Sequence, residues 1–81
     1  MAIIVYGTRR LVSDLVVVYS FGPTKDPEAI TGIAITDPTD LNGMKVFPLN
    51  ASTIHGQAVL GVAHREFERT GEWPETVSHF S

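Results

Sequence analysis

The stretch Ala51–Thr70 carries helical spacing along its length, and its middle is apolar on more than one side. On a wheel of about 100° per residue with Ile54 at zero, Ala58 falls near 40°, Val62 near 80°, Val59 near 140°, Ala63 near 180°, Phe67 near 220° and Leu60 near 240°. Thr53, Gln57, His64 and Glu68 share the one clearly polar sector, between about 260° and 320°. An ordinary surface helix needs an apolar stripe only a little wider than about 100°, and this one presents roughly twice that. One sheet face cannot cover such an arc. Either Trp73 and the C-terminal tail, with Phe80, fold over the second apolar side, or another subunit does. Gly56, Ala58, Gly61 and Ala63 are small enough to admit another backbone. Glycine costs roughly 1 kcal/mol against alanine inside a helix, so close packing is expected to offset the two glycines.

The helix is bounded by recognisable signals. Asn50 or Ser52 can accept bonds from the free amides of the first turn. Gly71 suits the position after the last helical residue, and Trp73-Pro74 prevents continuation.

Before the helix, the chain reads as strands. Ala2–Tyr6 is β-branched and aromatic, and Gly7-Thr8-Arg9-Arg10 follows as a turn or bulged connection. A second strand runs from Leu11 or Asp14 to Phe21. Its centre, Leu15-Val16-Val17-Val18-Tyr19, is apolar on both faces, which suits a central strand covered on two sides. Consecutive valines lose rotamer freedom in a helix, which argues against helix there. A proline-containing loop, Gly22–Pro27, leads to a third strand at Ala29–Thr36. Gly32 marks a bulge or a close backbone approach within it, and an antiparallel hairpin with the second strand is expected. Asp37–Gly43 is dense in turn formers. Met44–Leu49 is a fourth strand, and Pro48 favours an edge position for it. Thr76–Phe80 alternates and is a possible final strand. The expected fold is therefore α+β: one domain spanning residues 1–81, with a four- or five-stranded mostly antiparallel sheet and one helix packed on one face, in the order β-β-β-β-α with a possible final β.

Composition narrows function by exclusion. With 81 residues and no cysteine, the chain buries only about 60% of its unfolded surface and has no disulfide to staple it. Small chains of this kind gain buried area by self-association, so a homodimer is expected, with Val59, Leu60, Ala63 and Phe67 as its contact residues. Six Lys and Arg against nine Asp and Glu argue against nucleic acid, which needs a basic face. The N-terminus lacks the basic start and cleavage site of a secretory signal, and no run reaches the roughly 18 apolar residues of a membrane span, so a cytoplasmic protein is expected.

No motif specifies a chemistry. His55 and His64 point in roughly opposite directions (about 180° apart) on one helix, so they cannot share a metal. His64 and Glu68 share a face and form a solvated pair or half a metal site. The glycines of Gly56–Gly61 have phosphate-loop spacing but lack the following Lys-Ser/Thr. Asp40-Leu41-Asn42-Gly43 lacks the remaining ligands of a calcium loop. Asn50-Ala51-Ser52 matches a glycosylation sequon but reads as a helix start, and no serine sits in a Gly-x-Ser-x-Gly setting. No catalytic residue, metal or cofactor is expected.

Tyr6, Arg9, Arg10, Tyr19 and Phe21 are the candidates for a binding surface, with Trp73 as a further partner anchor, since arginine and aromatic residues are enriched at interface anchors. Trp73 also reads as a lid over the helix. The function expected is a non-catalytic protein–protein binding module that self-associates. The alternative is a small-molecule-binding protein or enzyme with a pocket between helix and sheet around His55, His64 or His79. Nucleic-acid binding through Arg9, Arg10 and Tyr6 comes third.

Overall fold

The computed structural model describes residues 4–26, 28–47 and 53–80. The elements run β1 (Ile4–Val12), β2 (Val17–Gly22), β3 (Gly32–Asp37), β4 (Asp40–Phe47), α1 (Thr53–Thr70) and β5 (Thr76–Phe80). The strands form one antiparallel sheet in the order β4-β3-β2-β1-β5, so the valine-rich β2 is central and β4 and β5 are its edges. This is the expected α+β architecture, with the final strand present.

Strand alternation sorts side chains onto two faces. Val5, Val17, Tyr19, Phe21, Ala34, Val46 and Val77 lie under α1 and, with Val59, Leu60, Ala63 and Trp73, form the core. The helix touches all five strands. Its glycines divide by position. A Cβ on Gly56 would stand 2.5 Å from Val46 Cγ1 and 3.0 Å from Phe21 Cε1, so only glycine lets α1 settle on the sheet there. A Cβ on Gly61 would meet nothing within 4 Å.

Several boundaries differ from expectation. Gly7–Arg10 is strand rather than turn, because β1 pairs with β5 on one side and β2 on the other. The irregularity falls between Arg9 and Leu11, where the register against β2 shifts. The turn comes later, at Ser13–Val16. There Ser13 Oγ accepts from the amides of Leu15 (3.2 Å) and Val16 (3.0 Å), and the Ser13 amide donates to the Val16 carbonyl. The turn after β3 is likewise shorter than the run of turn formers. Asp37 Oδ1 accepts from the Thr39 amide at 2.8 Å and its hydroxyl at 2.7 Å, and β4 begins at Asp40. Ala29–Thr31 precedes β3 as loop. The Thr31 amide donates to the Phe21 carbonyl, and pairing in register starts at Gly32. At Gly32 the structure shows close approach: a Cβ would fall 2.3 Å from Phe21 Cζ.

The helix ends as its sequence indicates. Gly71 takes a φ of 81°, and its amide donates to the Phe67 carbonyl at 2.8 Å. Pro48, and the capping expectations on Asn50 and Ser52, lie outside the described residues.

Candidate functional site

Trp73 is buried, 6% exposed, and closes one flank of α1. Its ring stacks on Phe67 at 4.5 Å between centroids and 9° between planes. It meets His64 edge-on at 4.8 Å and 84°. The segment carrying it is held from the sheet. Arg9 Nη1 donates to the Trp73 carbonyl at 2.6 Å, and the Arg9 amide donates to the Glu75 carbonyl at 2.9 Å. The Tyr19 hydroxyl donates to the Pro74 carbonyl at 2.5 Å. Burial pushes the Tyr19 phenol up to about 12, against a smaller opposing pull from the Arg9 charge. Arg9 and Trp73, expected to anchor a partner, are therefore internal fastenings. Arg9 falls on the helix side because it stands opposite Tyr19 in the ladder.

The same lid explains His64. The wheel places it in the polar sector, yet it is only 6% exposed, with Nε2 2.8 Å from Thr36 Oγ1 on β3. Burial lowers its basicity; Glu68 and Asp40 act weakly in the other direction. The polar sector is thus partly roofed by Trp73, which no helical pattern could reveal. Two cavities, one along β1 and β5 and one beside Trp73, contain no histidine among their lining residues. Among the described residues no three His, Asp or Glu side chains come together in a way that could hold a metal.

The residues expected to make the dimer contact are placed inside the monomer. Val59, Leu60 and Ala63 are completely buried against the chain's own sheet, and Phe67 is partly buried under Trp73. Val59, Leu60 and Ala63 have no surface to offer while α1 stays docked. The wide apolar arc is met by the sheet beneath and the Trp73 lid at the side. Phe80 takes no part in that lid, since it lies on the opposite face of the sheet, where its ring meets Tyr6 edge-on at 5.7 Å.

Among the described residues no helix packs on that opposite face. Leu11 on β1, Val18 on β2, Ile33 and Ile35 on β3 and Phe47 on β4 line up across it, with Val18 opposite Leu11 and Ile35, and Ile33 opposite Phe47. Ile33 is 43% exposed, Phe47 48% and Leu11 50%. Ile4 and Phe80 add a second apolar pair at the β1–β5 end. Of the expected binding residues, Tyr6 and Arg10 belong to this face. Tyr6 is half-buried beside Phe80, and Arg10 sits at the bulge with Nε donating to Ser20 Oγ at 2.8 Å. The signal for the face was present in the double-sided apolarity of Leu15–Tyr19 and in the alternating Ile33 and Ile35. What the sequence could not show is that α1 covers only one side of β2, leaving Leu11, Ile33 and Phe47 exposed on the other.

Comparison with known proteins found no matching family model, curated protein or solved structure. Among the described residues no helix is long and apolar enough to cross a membrane.

Proposed function

We propose that this chain is a non-catalytic protein-binding module that pairs with a second copy of itself across the helix-free face of the sheet. The carrying observation is the apolar row Leu11–Val18–Ile35 with Ile33–Phe47 beside it, on the face that α1 does not cover. Exposed apolar side chains gathered on one face mark an interaction site on a small protein. Two such sheets can stack about 10 Å apart with side chains interdigitating, which is the usual way a sheet face is buried. A two-fold arrangement suits one self-complementary patch.

Size sets the strength of the pairing. The Cα body measures 31 × 24 × 23 Å and the apolar row takes up only part of its broadest face, less than the about 800 Å² that each partner gives to a standard interface. A dimer using only this face therefore falls at the lower end of stable interfaces and should dissociate on dilution. The setting we infer is cytoplasmic, which cell fractionation checks. Concentration-dependent amide shifts test the contact itself. On raising concentration, shifts should concentrate on β2, β3 and β4 and spare the outer face of α1 around Ile54. Shifts centred on α1 would remove the proposal.

A further inference from the structure

Beside the apolar row, the β1–β5 side of the open face has a different chemistry. Val5, Gly7 and Val77 lie under α1, so Tyr6, Thr8, Thr76 and Ser78 project from the other side. Tyr6 stands directly opposite Ser78, and Thr8 directly opposite Thr76. These four residues, with Lys25 from the loop after β2, line a cavity of about 350 Å³ whose floor is the backbone of Gly7 and Val77. That volume lies within the roughly 300–1,000 Å³ of small-ligand sites.

Among the described residues none of the four hydroxyls has a hydrogen-bond partner in the protein, and Lys25 has no ion pair. The neighbouring Asp26 lines a small adjoining cavity with Tyr6 and Thr8, and its Oδ1 accepts from the Glu28 amide at 2.9 Å. The cavity thus gathers hydroxyl donors and one uncompensated cation in a chain whose net charge is −3.

We propose that this cavity binds a small oxyanion of the phosphate class, free or carried on a small organic molecule. Lys25 supplies the charge, and the hydroxyls of Thr8, Thr76 and Ser78 donate to the anion's oxygens. Directly opposed residues in an antiparallel pair have Cβ atoms about 4.5–5.5 Å apart, close enough for one tetrahedral anion to bridge both strands. The Tyr6 ring, braced by Phe80, forms the wall at one end. The site is independent of the self-association proposal, because the apolar row lies on the other half of the face.

Titration of the labelled protein at constant ionic strength tests the assignment, with inorganic phosphate, glucose 6-phosphate and glucose as probes. Both phosphates should give saturable shifts at Thr8, Thr76 and Ser78, and glucose none. Tighter binding of the sugar phosphate would assign the ligand as an organic phosphate; equal binding would assign free phosphate. Lys25→Gln should weaken binding at least roughly tenfold, whereas Lys45→Gln, on the β4 side of the same face, should leave it unchanged. Shifts that rise linearly without saturating, equal loss in both variants, or equal binding of glucose would overturn the proposal.

Discussion

Arg9 and Tyr19 stand directly opposite one another on β1 and β2, and their side chains donate to consecutive carbonyls, those of Trp73 and Pro74. The sheet thereby holds the lid of the helix by two adjacent backbone groups. Tyr19→Phe keeps the ring and removes one bond, so it should lower stability by about 1–2 kcal/mol. Arg9→Gln should loosen the same segment. Because the two bonds brace one short stretch, the double variant should lose less than the sum of the singles, and a double-mutant cycle by urea unfolding measures the difference. The emission of Trp73, the protein's single tryptophan, reports the lid directly.

The Tyr19 phenol also gives an alkaline signature. Its folded-state pKa, about 12, lies above the ordinary phenol value of 10.0, so the unfolded chain loses this proton first. The stabilisation is complete below pH 10.0 and is lost as pH rises through about 12. Thermal melts over that window should show a decline in wild type that is shallower in Tyr19→Phe.

His64 works at the other end of the scale. Its folded-state pKa is lowered from 6.5, so the unfolded chain takes up the proton first as pH falls. Stability present above 6.5 is lost as pH falls through the depressed folded value. The groups facing the ring are Thr36 from β3, Trp73 from the lid, and the charges of Asp40 and Glu68. Between pH 7 and about 5, above the ordinary carboxylate range, the melting temperature of wild type should fall more steeply than that of His64→Gln. Parallel curves would show that His64 is not the group responsible.

The helix glycines should respond in opposite directions. Gly61→Ala meets open space and should stabilise by about 0.5–1 kcal/mol through helix propensity. Gly56→Ala drives a methyl into Val46 and Phe21 and should destabilise by about 1–3 kcal/mol, as overpacking does. Chemical denaturation of the two variants checks both signs.

The helix, its glycine stop, the final strand, the central place of the valine run and the edge position of β4 were legible because each rests on local pattern. Arg9 was not. Glycine and two arginines look like a turn, and pairing with β2 on one side and with Thr76–Phe80, far along the chain, on the other keeps that segment extended. His64 looked solvated because its cover arrives from beyond the helix. Val59, Leu60 and Ala63 were legible as buried, but their partner is the chain's own sheet. The surplus apolar surface shown by composition is real and lies elsewhere: on the strands' far side at Leu11, Ile33 and Phe47. The hydroxyl cavity could not be found by motif, because its residues come from two strands joined only by register.

Sedimentation across a wide concentration range tests the central claim most directly. Wild type should pass from monomer to dimer by about 1 mM. Ile33→Lys and Phe47→Lys, each placing a charge in the apolar row, should remain monomeric with unchanged circular dichroism and thermal melting. Ile54→Lys, on the outer face of the helix, should dimerise as wild type does. A wild type that stays monomeric throughout, or a dimer that survives both sheet-face charges and is broken by Ile54→Lys, would contradict the account.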